Sequence, residues 1–365
     1  VALLESMYHA AGYSVGSYTS PHLIRFNERI KLNQIPLTDN ELIQAFEAIE
    51  AAGGLTQLTY FEMTTLAALW HFKRCSLDVL ILEVGLGGRL DATNIIDSDL
   101  AIITTIDFDH EDYLGHTLEA IGYEKAGILR KKTPCIYADK KPPLSIIKQA
   151  ALLDAPLLIH GQDYTYQTVG DLFYLYYKGQ TAVFPKAPFH SNSLAAALIA
   201  TLCLKKILPL NEMQLVTGIN NTVLAGRLQW LKTPIKTLVD VAHNPQSAQY
   251  LAEYLAATHV KGKMHAIFSA LADKDINGLI SPLKDHVDYW YPALLNTKRA
   301  ANKEQLLMSL ACHDIKTKLC YNTPVLAYQA ACHDIAPDDL IVVYGSFFTV
   351  SAIISFLMPV KEGYN

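Results

Sequence analysis

No stretch of this 365-residue chain stays apolar for the roughly 18 residues that a membrane-spanning helix needs, and no basic segment followed by an apolar one marks a secretory signal. Those two absences make the cytoplasm the default expectation. Cysteine is sparse as well. Six thiols spread over the whole length suit reduced core residues, since disulfide scaffolds pack many more into much shorter chains. Positive charge is not in excess: the net charge of -5 argues against a nucleic-acid partner, because neutralising phosphates takes a basic face, although a local basic pocket stays open. The first residues, VALLESMYHAAGYSVGSYTS, show helical apolar spacing directly from Val1 with no Met, N-cap residue or preceding strand, so an upstream segment is expected. What the chain does have is 51% hydrophobic against 18% charged residues, enough to bury large cores, over a length that suggests two domains.

Apolar runs alternate with helical patterns along the sequence. YSVGSY, DVLILEV, LAIITTI and PCIYA read as strands, with helices expected at about 39–52, 60–74, 116–127 and 143–153. This alternation predicts an α/β fold built from βαβ units around a mostly parallel sheet. Residues 163–185 are aromatic and β-branched, with turns at Gly170-Asp171 and Gly179-Gln180, and should form a small antiparallel element. Two further helices are expected near 191–206 and 211–220. After a polar break near 226–233 the alternation restarts with TLVDVA, MHAIFSA, VDYWYP, KTKLC and LIVVYG, separated by helices starting near 245, 275, 302, 323 and 347. A second, Rossmann-like α/β domain follows from that pattern, giving domains of 1–226 and 227–365. The repeated ACHDI at 311–315 and 331–335 offers Cys312, His313, Cys332 and His333 as metal ligands; closure of two helices explains it better, because His suits a helix C-terminus and no C-x-x-C spacing is present.

In open parallel sheets, ligands bind beyond the carboxyl ends of the strands. Four such loops are rich in reactive groups: TSPHLIRFNERI, EVGLGGRLDATN, DFDHEDYLG and HNPQ. Ordinary turn chemistry accounts for one loop of this kind and poorly for four. Glu83 and His110, placed at equivalent heights on adjacent strand ends, are expected to converge on one cation, with Ser20 adding a hydroxyl. Magnesium, which takes a few oxygen ligands plus water and phosphate, is the natural candidate, although His is an unusual partner for it. GLGGRL is not a dinucleotide fingerprint, since Leu90 stands where the third glycine belongs. Gly85, Gly87 and Gly88 are expected instead to permit close backbone approach, leaving Arg89 and Asp91 to face a ligand.

The segments YTSPHLIRFNERI, YFEMTTLAAL, LEVGLGGRLDATN, DFDHEDYLGHTLEAIGYEKAGI, AGRLQW, DVAHNP and GSFFTV, in this order from Tyr18 to Val350, resemble the folylpolyglutamate synthases. The likeness is strongest to the bacterial bifunctional dihydrofolate synthase/folylpolyglutamate synthases of the Mur ligase superfamily. The resemblance implies a P-loop-NTPase-like first domain and a glutamate-ligase second domain. It also implies a monomeric ligase that uses ATP and two magnesium ions to join L-glutamate to dihydropteroate or to reduced folates through an acyl phosphate. By that resemblance Ser20, Glu83 and His110 fall on magnesium ligands, and Lys125 on a lysine carbamylated to become an oxygen ligand. Phe61, Arg89 and Asp91 fall on the pterin side, where a ring stacks and a carboxylate accepts N–H donors. Arg227 matches an inter-domain arginine touching ATP phosphates, while Asp240, His243, Asn244 and Ser346 match residues around the nucleotide and the incoming glutamate. Lys125, Asp240 and His243 are the catalytic candidates. From the residues alone, a solvated helix charge explains Lys125, and capping explains Asp240 and Ser346.

Three departures stand out. The family's phosphate-binding loop lies before the helix that opens at Val1, Leu194 replaces an asparagine near the adenine, and Phe348 replaces a histidine. The alternatives are a folylpolyglutamate synthase with one activity, a ligase of cell-wall precursors, or a protein that binds folate or nucleotide without turnover.

Overall fold

The computed structural model describes residues 1–53, 58–108, 111–187, 189–317 and 319–358. The chain divides into two compact units, Val1–Val223 and Leu224–Asn365. Both are α/β, and among the described residues no helix is long and apolar enough to cross a membrane.

In the first unit, α1 (Ala2–Ala10) leads into β1 (Val15–Tyr18), which pairs antiparallel with β2 (Ile30–Leu32), itself paired with β3 (Ile35–Pro36). Helices α2 (Asp39–Ala51) and α3 (Tyr60–Lys73) each start at a threonine followed three residues later by glutamate. Thr38 with Glu41 and Thr59 with Glu62 form capping boxes, each side chain satisfying a backbone N–H that the helix itself cannot pair. Strand β4 (Val79–Leu82) then runs parallel to β1 with Tyr18 opposite Leu82, so the residues after both strands emerge together. A second parallel ladder holds β5 (Ala101–Ile103), β6 (Cys135–Tyr137) and β7 (Leu157–Ile159), with α4 (Glu111–Leu114), α5 (Leu118–Ala126) and α6 (Leu144–Leu152) between them.

The aromatic segment folds as an antiparallel meander of β8 (Tyr164–Val169), β9 (Leu172–Tyr177) and β10 (Gln180–Pro185). The turns fall where they were expected, with left-handed backbone at Gly170 and Gly179. Helix α7 (Ser191–Cys203) is buried nearly all round, as its alanine-rich composition requires, and α8 (Glu212–Asn221) closes the unit. Leu194 sits in the first turn of α7, inside the core with Phe173, Phe184 and Ile199.

Two expectations change here. The single mostly parallel sheet is two ladders: among the described residues β4 bonds to β1 and β5 to β6, so β4 and β5 are not hydrogen-bonded neighbours. An apolar run fixes which faces a strand buries, but not which strand it bonds. The strand-end partner that adjacency gives Glu83 is therefore Ser20, beyond β1. His110 lies outside the described residues.

The second unit is one five-stranded sheet in the order β11 (Gln229–Leu231), β12 (Thr237–Val239), β15 (Leu340–Tyr344), β13 (Met264–Phe268), β14 (Tyr289–Pro292). Only β11 runs antiparallel, and LIVVY of β15 is buried along its whole length because strands flank it and helices cover both faces. Each large apolar side chain buried in such a strand contributes about 1.5–3 kcal/mol relative to exposure. Its helices are α9 (Pro245–Ala257), α10 (Ile276–Ile280), α11 (Lys303–Ala311), α12 (Pro324–Asp334) and α13 (Phe347–Leu357). The expected strand at KTKLC falls in part on Lys318, outside the described residues; beside it the described chain makes a single bridge, Ala293 to Tyr321. The two ACHDI copies do close α11 and α12.

Candidate active site

Beyond β1 and β4 the first unit brings Ser20 and Glu83 together. The Glu83 backbone N–H donates to the Tyr18 carbonyl at 2.9 Å, and the Ser20 backbone N–H reaches the Glu83 carboxylate at 3.3 Å. The Glu83 carboxylate and the chain at Ser20 are thus adjacent at the ends of these two strands, and a carboxylate with a serine hydroxyl is the hard oxygen type of donor that magnesium accepts with few protein ligands. Among the described residues no group of three or more His, Cys, Asp or Glu side chains is arranged to hold a metal. The fit to magnesium therefore rests on this pair.

After Ser20, residues 21–25 form a loop that leads into a 3-10 turn at Phe26–Arg29. Glu28 folds it, accepting backbone N–H groups from Leu23, Ile24 and Arg25 at 2.7–2.9 Å. The buried Arg29 guanidinium lies 5.7 Å from the Phe26 ring and 5.5 Å from Tyr60, and its Nε donates to His22 Nδ1 at 2.9 Å. Burial, with the Arg29 charge beside it, pushes the His22 pKa down. The signal available in the sequence was the polar spacing H-x-x-x-F-x-x-R after a strand, which names no partners by itself.

Phe61, in the first turn of α3, stacks obliquely on Tyr18 at 5.8 Å and covers the backbone of Gly85, where an added Cβ would come within 2.5 Å of the ring. Gly85 is glycine because of that close approach. Asp91, expected to face a ligand, is engaged within its own loop. One carboxylate oxygen accepts from the backbone of Gly85 and Leu86 at 2.9 and 3.0 Å, the other from the Thr93 backbone and hydroxyl at 2.9 and 2.7 Å. Arg89 is also committed: its Nε lies 3.2 Å from both Glu124 oxygens and its Nη2 2.9 Å from Oε1. Lys125 follows Glu124 in the last turn of α5.

In the second unit the ends of β12 and β15 are adjacent, and several of the residues expected to form the site follow them. Asp240 is buried; its carboxylate accepts from the backbone N–H of Leu228 and of Ala242, each at 2.8 Å. Burial raises its pKa, opposed by the Leu228 N–H, the Arg227 charge and the Ala242 N–H. Arg227 lies over the Phe347 ring at 5.3 Å, and the His243 ring tilts against the same phenyl at 5.7 Å. His243 Nδ1 is 2.9 Å from the Val241 carbonyl, which fixes the ring's orientation. Asn244 caps α9, reaching the Ser247 backbone at 2.9 Å. Ser346 caps α13, accepting from the Thr349 N–H at 3.0 Å and sharing a hydrogen bond with its hydroxyl at 2.7 Å. Before it, Gly345 has φ +111, and a Cβ there would collide with the Ser269 carbonyl. Arg227, Asp240, His243, Asn244 and Ser346 are thus gathered at one sheet edge. Phe347, which joins two of them, went unmarked, while its exposed neighbour Phe348 had drawn notice.

Two α/β units, the first with a strand-end glutamate beside Ser20 and the second Rossmann-like with a buried aspartate at its strand ends, are the arrangement that comparison with known proteins identifies as an amide ligase of the Mur type. Residues 226–347 match the family described as Mur ligase, glutamate ligase domain. The dihydrofolate synthase/folylpolyglutamate synthase of Escherichia coli (strain K12) is 40% identical over 361 residues, covering 99% of this chain and 84% of that protein. A solved structure titled E. coli FolC in complex with DHPP and ADP superposes with a TM-score of 0.92 at 39% identity, over 98% of this chain and 84% of that one. Another, a bifunctional folylpolyglutamate synthase/dihydrofolate synthase with Mn, AMPPNP and L-glutamate bound, gives 0.89 at 38% identity, covering 98% and 86%. The chain belongs to the dihydrofolate synthase/folylpolyglutamate synthase family.

Proposed function

We propose that the protein is an ATP-dependent ligase adding L-glutamate to dihydropteroate and to the γ-carboxylate of reduced folates, with release of ADP and phosphate. The observation that carries this reading is the 40% identity to the bifunctional enzyme across 99% of the chain. A free carboxylate is a poor acceptor because oxide would have to leave; transfer of the ATP γ-phosphoryl group to it makes an acyl phosphate. The glutamate amine then attacks the carbonyl carbon, and phosphate departs. Positioning and charge neutralisation supply most of the catalysis in such a transfer.

Residue roles are part of the proposal. In the first unit Ser20, Glu83 and His110 would hold magnesium, with Lys125 joining them as its carbamate, since a protonated lysine cannot bind a cation. Bound magnesium supplies neutralisation of phosphate charge. Phe61 offers a ring face to the pterin, while Asp91 holds the shape of the loop beneath it. In the second unit Arg227 meets phosphate, Asp240, His243 and Asn244 serve the nucleotide side, and Ser346 the glutamate side. The buried Asp240 carboxylate orients the backbone on which Arg227 stands, because it fixes the Leu228 N–H one residue along. On this reading the protein works as a monomer in the cytoplasm, and light scattering of the purified protein tests the first of these.

The test of function is an ADP-release assay with ATP and glutamate plus either dihydropteroate or tetrahydrofolate. Turnover with both is expected. Turnover with tetrahydrofolate alone reduces the protein to a folylpolyglutamate synthase, and turnover with neither overturns the reading.

A further inference from the structure

We infer that Arg89 and Glu124 form a positioning clamp that fixes Lys125 relative to Glu83, so that the arginine serves metal-site geometry and not folate contact. The inference rests on the proposed metal-binding roles of Glu83 and Lys125. The chain leaving β4 carries Glu83 and, six residues later, is fastened onto the final turn of α5. The Arg89 backbone N–H donates to the Glu124 carbonyl at 2.8 Å, while its guanidinium grips the Glu124 carboxylate at 2.9–3.2 Å. Its Cζ also lies 5.6 Å from the centre of the Tyr123 ring. On one side Gly88 approaches the carbonyls of Glu124 and Lys125 so closely that a Cβ would stand 3.0 and 3.2 Å from them. On the other, the Arg89 backbone packs against Gly127, and Asn94 Nδ2 bridges the Arg89 and Gly127 carbonyls at 3.1 Å each.

These fastenings touch residues on both sides of Lys125. They fix the backbone that carries it against the loop that carries Glu83. A guanidinium–carboxylate fork is directional, so it sets orientation as well as distance, and metal ligands must be held to within about 0.5 Å to work together. An arginine with its Nε and Nη2 committed to a neighbouring carboxylate is poorly placed to recognise a separate substrate. The pair is partly exposed, with side chains 41% and 20% accessible, so its loss should loosen the site without unfolding the unit.

The experiment measures initial rates of Arg89→Gln, Glu124→Gln, the double variant and the charge-exchanged pair Arg89→Glu/Glu124→Arg. Magnesium is titrated at saturating ATP, KM for the folate substrate is determined separately, and manganese binding without turnover is read by electron paramagnetic resonance, where the clamp variants should bind more weakly than wild type. Each single variant should raise the magnesium concentration for half-maximal rate by roughly 10-fold or more, as loss of ligand-supporting contacts commonly does, with folate KM unchanged. The double variant should be no worse than the singles, and the exchanged pair should recover part of the loss. Arg89→Lys, which keeps the charge and loses the fork, serves if Arg89→Gln does not fold. A rise in folate KM with normal magnesium dependence overturns the inference in favour of substrate contact, and no change in either constant overturns it in favour of a surface pair. Glu83→Ala, run alongside, separates the two levels. If its magnesium dependence is normal, the metal reading itself fails; if it is lost while the clamp variants behave as wild type, only the clamp fails.

Discussion

Glu83 emerges from a strand whose partner brings Ser20 to within hydrogen-bonding distance of its carboxylate. Replacing it by alanine removes the carboxylate while leaving the backbone bond to Tyr18 intact, so circular dichroism should be unchanged while kcat falls by roughly 100-fold or more. Thiol chemistry gives a second test: burial pushes Cys135 up to about 12, whereas Cys312 is exposed, so alkylation of native protein at pH 8 should label Cys312 and spare Cys135. Labelling of Cys135 before unfolding would contradict the packing of β6. The importance of Asp91 was legible as a polar residue after a buried strand. Its partners were not, because they are backbone N–H groups whose directions depend on how the glycines before it turn. The same holds for Arg89, whose carboxylate partner is 35 residues away in sequence.

Among the elements, helix α3 shows how much a local signal can fix. Thr59 accepts from the Glu62 N–H at 3.3 Å while Glu62 accepts from the Thr59 N–H at 2.7 Å. Thr59→Ala should therefore lower stability by about 1 kcal/mol, seen as a lower urea midpoint at unchanged slope. An unaltered midpoint would mean that tertiary packing alone holds the start of the helix. The helices of both units were legible because periodicity and caps agree over nine or more residues in α2, α3, α9 and α13. Strands β2, β3, β7 and β11, of two or three residues each, are too short to show alternation, and the partition of β4 and β5 into separate ladders left no mark in either strand's own sequence.

At the scale of the whole molecule, acid sensitivity should include a contribution from Asp339 in the second unit. The N–H groups of Ala336 and Lys263, with His265 at 3.2 Å, hold Asp339 below the usual carboxylate range. A carboxylate whose folded pKa is depressed contributes its stability above the unfolded value of about 3.9, and that contribution is lost as pH falls through the folded value. Urea unfolding at pH 5 and pH 3 should show wild type losing more stability over that interval than Asp339→Asn; equal losses would remove Asp339 from the account. The Rossmann-like pattern of this unit was plain in its sequence, since strands buried on both faces are continuous apolar runs. The small backbone accommodations that let its functional loops meet were hidden. Gly345 carries one of them, and its consequence reaches beyond folding. Every single-nucleotide change of a glycine codon that alters the residue brings in a Cβ or stops the chain, and here a Cβ meets both a disfavoured φ and the Ser269 carbonyl. If this loop serves glutamate or nucleotide as proposed, adaptation of that preference can travel through neighbours such as the half-exposed Phe348, but the residue before Ser346 offers it no first step.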